Sequence, residues 1–156
     1  MNKTQQRLRP NSRLSHLAEI VDPRYRTIWD CCCDHGLLGM SLLKDGYADE
    51  VIFVDIVEDI LANLTTRLEH SFPQNQYNWQ VRCEDLKNIV VPPVDSQLFI
   101  IAGVGPHQTI EFINSLYASA PDTPFDLLVC SVHGSYSVRQ ALINKDYRLK
   151  NEQIIL

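Results

Sequence analysis

The sequence predicts a doubly wound α/β domain, a mostly parallel sheet with helices on both faces and one further helix ahead of it. Three observations carry that expectation. Short, continuously apolar runs recur along the chain, as strands buried on both faces require. Stretches with apolar residues at helical spacing alternate with these runs. Turn formers stand at the junctions, among them Gly46, Pro73, the Pro92-Pro93 pair and PDTP at residues 121–124. The 156 residues suit one domain, taken here as 1–156.

Each element follows from local chemistry. Asn11 or Ser12 caps a first helix in which Leu14, Leu17, Ala18 and Val21 form one buried face, ending before Pro23. TIWDCC, residues 27–32, is a first strand, and LLGMSLLKD, 37–45, a helix closed by Gly46. EVIFVD, 50–55, is a second strand. A long amphipathic helix over 57–70 then places Ile60, Leu61, Leu64 and Leu68 on one side. WQVR, 79–82, is a third strand and QLFIIA, 97–102, a fourth. HQTIEFINSLYAS, 107–119, is helical, FDLLVC, 125–130, a fifth strand, SVRQALINKD, 137–146, a helix, and YRLKNEQIIL, 147–156, a last strand.

Composition narrows the function classes. The chain is 45% hydrophobic and 21% charged, and no apolar run approaches the roughly 20 residues of a membrane helix. The start MNKTQQRLRPNSR has no apolar core of a secretory signal, so a cytoplasmic location is expected. Five cysteines, three of them adjacent, fit reduced thiols better than a disulfide framework. A net charge of -5 argues against coating nucleic acid by bulk electrostatics. Yet Lys3, Arg7, Arg9 and Arg13 precede any acidic residue. Two readings fit that run, a solvated terminus and a local phosphate-contacting patch.

The segment IWDCCCDHGLLG, residues 28–39, concentrates the chemistry. A metal ion needs ligands that converge, whereas successive side chains of an extended segment point to opposite faces, and no CxxC pair supplies a second donor set. No metal is expected, and small residues at a strand end account for the cysteines.

A nucleotide site accounts for more. Asp30 closes the first strand, and Asp55 ends the second where a carboxylate takes ribose hydroxyls. Asp85 follows the third strand, within reach of an adenine amine. In IAGVGP, 101–106, Gly103 and Gly105 let the backbone approach a ligand. The alternative, that these are ordinary turn formers, stays open. GxGxxG is absent, which disfavours a nicotinamide-dependent oxidoreductase. It suits S-adenosylmethionine, which has no pyrophosphate to seat on the helix N-terminus.

RLSHLAEIV, DCCCDHGLLG, FVDI, VRCEDL, IAGVG and VRQALINKDYRLKNEQIIL together resemble, in order and spacing, the bacterial tRNA adenine-N1 methyltransferases that act at position 22, the TrmK family. The resemblance runs from Arg13 onward. Its most specific pieces are Asp30, Asp34, His35 and Gly36, and Ile101 to Gly105.

The resemblance implies a Rossmann-like class I methyltransferase using S-adenosylmethionine, with tRNA as partner. Asp30, Cys32 and Gly36 would line the cofactor turn. Asp55 and Ile56 would lie toward the ribose, Asp85 and Leu86 toward the adenine, and Ala102 and Gly103 beside the donor. Asp34 would be the catalytic residue. His35 and Gly105 would meet the substrate, and Arg7, Arg9 and Arg13 the RNA. His133 after the fifth strand is either a rim residue or a solvated loop histidine, and Arg139 suits a surface ion pair.

The sequence also departs from the family. Cys32 stands where the family usually has glycine, Pro106 replaces a second glycine, and Cys130-Ser131-Val132 replaces Gln-Pro-Asn. Family members continue through a further strand and a helical extension. A non-catalytic nucleotide- or RNA-binding module on the same fold is the alternative that these changes favour. Oligomeric state is not legible.

Overall fold

The computed structural model describes residues 12–22 and 25–154. Its elements run α1 (Ser12–Ile20), β1 (Tyr25–Cys31), α2 (Leu37–Lys44), β2 (Ala48–Asp55), α3 (Glu58–Ser71), β3 (Trp79–Cys83), β4 (Gln97–Ala102), α4 (Pro106–Ser119), β5 (Asp126–Cys130) and α5 (Ser135–Ile143). A 3-10 turn at Leu86–Asn88, which sequence patterning did not mark, lies between β3 and β4. The five strands form one sheet in the order β3-β2-β1-β4-β5, and every neighbouring pair is parallel. The chain therefore winds outward through β2 and β3, then crosses back to β4 beside β1. In sheets of this kind ligands bind outside the carboxyl ends of the strands at such a reversal.

Side-chain alternation along β1 feeds two cores. Ile28 joins the layer of α1, α2 and α3 with Leu17, Leu38, Leu42, Phe53 and Leu64. Trp29 and Cys31 join the opposite layer with Phe99, Phe112, Ile113, Leu116 and Val138. Trp29 stacks on Phe99 with ring centroids 5.0 Å apart, and Phe125 meets Phe99 edge-on at 5.2 Å. The buried Trp29 indole donates to Gln97 Oε1 at 3.2 Å, and Gln97 Nε2 donates to the carbonyls of Pro92 and Val94, each at 2.9 Å. No polar atom of that pair is left without a partner, as a buried site requires.

One expected element is missing. Residues 147–154 form no strand, while 155–156 lie outside the described residues. A strand needs a neighbour to meet its N–H and C=O groups. Here Lys150 pairs with Asp126 and Glu152 with Arg139, so charged side chains fasten the segment without a ladder. Leu149 and Ile154 remain exposed. The final helix also begins two residues before the expected 137–146 and ends three before it, because Gly134 in the left-handed region (φ 66°) starts it early.

Candidate functional site

The carboxyl ends of β1, β2 and β3 converge on one acidic cleft. The turn after β1 places two non-glycine residues in the left-handed region, Cys32 at φ 55° and Asp34 at φ 50°, followed by Gly36 at φ 70°. Such a conformation is costly for L side chains and persists only where surroundings hold it. Two bonds do so here. The Cys33 N–H donates to Val54 O at 3.0 Å, and the Asp34 N–H donates to Asp55 Oδ2 at 3.0 Å. Gly36 is packed so closely that a Cβ there would lie 2.6 Å from a Leu64 methyl.

Asp55 is the hub of the cleft. Its Oδ1 also accepts from the N–H groups of Ile56 at 2.7 Å and Val57 at 3.2 Å. A carboxylate oxygen has two lone pairs, so Oδ1 is filled and Oδ2 keeps one acceptor position. Ile56 beside it is 65% exposed, an uncovered apolar side chain at the strand end. Asp85 is half-buried; its Oδ1 accepts from the Lys87 N–H at 2.9 Å and caps the 3-10 turn. Leu86 is buried with Ile89 and Val91, so its side chain serves the core and any ligand contact falls to its backbone.

Asp30 is buried beneath the cleft. Its Oδ2 accepts from the Gly39 N–H at 2.9 Å. A Cβ at Gly39 would lie 2.7 Å from that oxygen and 2.4 Å from the Phe53 ring, so only glycine lets α2 come this close. Sequence reasoning missed Gly39, although a lone glycine inside the helical run LLGMSLL marks such an approach. Burial pushes the Asp30 carboxyl up to about 7 from 3.8; the Gly39 N–H opposes this and the Asp55 charge adds to it.

The three adjacent cysteines divide between the two cores: extended geometry would keep Cys31 and Cys33 on one face, and the left-handed turn at Cys32 sends Cys33 to the other. Burial, then the charges of Asp55, Asp30 and Asp85, pushes the Cys32 thiol up to about 12. Burial raises Cys31 and Cys33 as well. These are thiols, not thiolates. Among the described residues no group of three His, Cys, Asp or Glu side chains could hold a metal ion.

The opposite side of the crevice is built by β4 and β5. Gly103 has φ 85°, and the Arg13 guanidinium from α1 lies over it, with Nη2 3.4 Å from where a Cβ would stand. Among the described residues, the buried Arg13 Nε has no hydrogen-bond partner. Ala102 closes β4 half-buried. Gly105 is extended (φ −69°) and caps α4, its carbonyl accepting from the Thr109 N–H and hydroxyl. Asp34 and His35 are exposed at the cleft, with His35 Nε2 3.7 Å from Asp34 Oδ1. Arg139 pairs with Glu152, the expected surface ion pair. His133 is exposed. Arg7 and Arg9 lie outside the described residues. Among the described residues no helix is long and apolar enough to cross a membrane.

Solved structures share this architecture. M. capricolum TrmK, bound to S-adenosyl-homocysteine, is 19% identical with a TM-score of 0.76 over 94% of this chain and 63% of its own. The B. subtilis M1A22 tRNA methyltransferase TrmK is 21% identical, with a TM-score of 0.76 over 96% of this chain and 62% of its own. A Streptococcus pneumoniae protein in complex with S-adenosyl-L-methionine is 18% identical, with a TM-score of 0.79 over 92% and 65%. The chain thus spans just under two thirds of the length of these proteins. At such identities they establish the Rossmann-like fold. Among curated proteins, none matches the sequence significantly. The profile of the methyltransferase domain matches residues 10–156, and by that match over nearly its whole length the chain belongs to the methyltransferase domain family.

Proposed function

We propose that this chain is an S-adenosylmethionine-dependent methyltransferase acting on N1 of an adenine in tRNA, and that it works in the cytoplasm. The observation that carries the reading is the Asp34–Asp55 bond, which gathers the ends of β1 and β2 into one carboxylate-lined cleft.

The residues present suit the donor. The spare acceptor position on Asp55 Oδ2 fits one ribose hydroxyl. Exposed Ile56 offers an apolar face to an adenine, and Asp85 Oδ2, which faces Lys87 Nζ at 3.8 Å, has acceptor capacity left for its amine. Asp30, Cys32 and Gly36 shape the turn, with Leu86, Ala102 and Gly103 completing the wall. When bound, the donor supplies a sulfonium-linked methyl group.

The chain's own task is positioning, since N1 needs only its lone pair in line with the methyl. Asp34, exposed and aimed from a strained turn, holds the adenine amine and stabilises the positive charge that the base acquires. His35 and Gly105 flank the base. Arg13, whose guanidinium lies over Gly103, meets the RNA, and Arg7 and Arg9 add phosphate contacts. Because N1 lies on the pairing edge, the target base is unpaired or flipped.

The likeness to the B. subtilis M1A22 tRNA methyltransferase supports this substrate. Calorimetric titration with S-adenosylmethionine, S-adenosylhomocysteine and NAD tests the donor. Mass spectrometry of nucleosides from an unmodified tRNA pool tests the product. Saturable binding of the two sulfur ligands alone, followed by 1-methyladenosine, is the expected result. Binding without product on any tRNA favours the non-catalytic module.

A further inference from the structure

The loops after β4 and β5 are joined rather than independent. The ladder that pairs Ala102 with Cys130 continues past both strands. The Gly103 N–H donates to Cys130 O at 3.1 Å, and the Val132 N–H donates to Val104 O at 3.0 Å. Beyond that, Gly134 lies against Pro106, and a Cβ on Gly134 would stand 2.7 Å from the proline Cγ. The Ser131 hydroxyl donates to the His133 carbonyl and closes the turn. The result is a stiff frame at the carboxyl edge of the sheet.

That frame carries an aromatic ring into solvent. Tyr136, in the first turn of α5, is 72% exposed, and Val132 beside the same turn is 49% exposed. Among the described residues neither the ring nor the hydroxyl of Tyr136 has a partner. An uncovered ring on a rigid support, rather than on a loose loop, is the arrangement used to stack unpaired bases.

Position selects the occupant. Carboxylates crowd the β1–β2–β3 side, so RNA phosphates are kept off it while an uncharged base can enter. Arg13 stands over β4, on the other side of the reversal. Two strand spacings, about 10 Å, separate β1 from β5. Tyr136 lies past β5 on the carboxyl edge of the sheet that also carries Asp34 past β1. We infer that Tyr136 is a base-stacking residue, which takes the unpaired nucleobase next to the methylated one. This rests on the RNA substrate proposed above.

The test compares wild type, Tyr136→Phe and Tyr136→Ala on an unmodified tRNA transcript, with S-adenosylhomocysteine affinity and Tm measured for each. Tyr136→Ala is expected to raise the KM for RNA about tenfold with kcat little changed. Its cofactor affinity and Tm stay at wild-type values, because the side chain touches neither core. Tyr136→Phe keeps the ring and restores the KM. A wild-type KM in Tyr136→Ala, or equal impairment in Tyr136→Phe, overturns the inference. A wild-type chain that binds the transcript without methylating it overturns the reaction instead. Fluorescence anisotropy of the transcript then decides the stacking, since loss of affinity in Tyr136→Ala alone upholds it and equal affinity in all three rejects it.

Discussion

Asp55 holds Asp34 in place: the Asp34 N–H donates to Asp55 Oδ2 at 3.0 Å across the end of the sheet. Because Oδ1 serves Ile56 and Val57, both oxygens face N–H donors. Asp55→Asn must turn an NH2 toward at least one of these, leaving a donor facing a donor. A loss of about 1–3 kcal/mol in stability is expected, read from urea denaturation. Affinity for S-adenosylhomocysteine falls with it, about tenfold, by calorimetry, the equivalent of about 1.4 kcal/mol.

Asp30 predicts a pH dependence. Its carboxyl titrates near 7 when folded and near 3.8 when not, so folding takes up a proton between those values. The folded state then binds more protons than the unfolded one, and stability falls as pH rises from about 4 to about 7. The contribution is fully present below the lower value and lost above the upper one. Asp30→Asn, which keeps an acceptor for the Gly39 N–H, removes this slope. Unfolding free energies of the two proteins should therefore diverge across the window, the variant becoming the more stable by several kcal/mol above pH 7. Parallel curves would place the Asp30 titration elsewhere.

Gly39→Ala tests the closeness of α2 and β2. The added methyl meets Phe53 at 2.4 Å and Asp30 Oδ2 at 2.7 Å. Neither can retreat, because Phe53 is fully buried and Asp30 nearly so. Overpacking of this kind costs about 1–3 kcal/mol, more than the gain in helix propensity from replacing glycine. Calorimetric Tm reads the loss.

Cys32 separates backbone strain from side-chain chemistry. At φ 55°, a β-branched residue is the worst occupant, and Cys32→Val should lower stability by about 1–3 kcal/mol. Cys32→Gly relieves the strain but gives up a half-buried thiol and loosens the unfolded chain. The opposing effects leave stability within about 1 kcal/mol of wild type. Thermal unfolding of the pair decides whether the turn is held against its own preference.

Strands with uninterrupted apolar character were legible because burial on both faces writes itself into composition; QLFIIA matches β4 residue for residue. The last segment, YRLKNEQIIL, misled because its composition admits a strand while its described residues, 147–154, form none. The carboxylates at Asp30, Asp55 and Asp85 could be placed from strand ends alone. What each oxygen does could not, since Asp34's left-handed turn is set by a partner 21 positions away. Leu86 shows the same limit, a residue chosen for its neighbourhood whose side chain packs inward. Tyr136 escaped notice because exposure of a helical aromatic depends on where the helix starts, which Gly134 decides.

The cysteines have a practical consequence. Cys31, Cys32 and Cys33 resist maleimides at neutral pH, since burial keeps them protonated. Cys83 is exposed and pairs with Asp55 in the sheet register. With Cys130, only half-buried, replaced by serine, a fluorophore on Cys83 would report in real time whether the proposed ligand arrives beside Asp55.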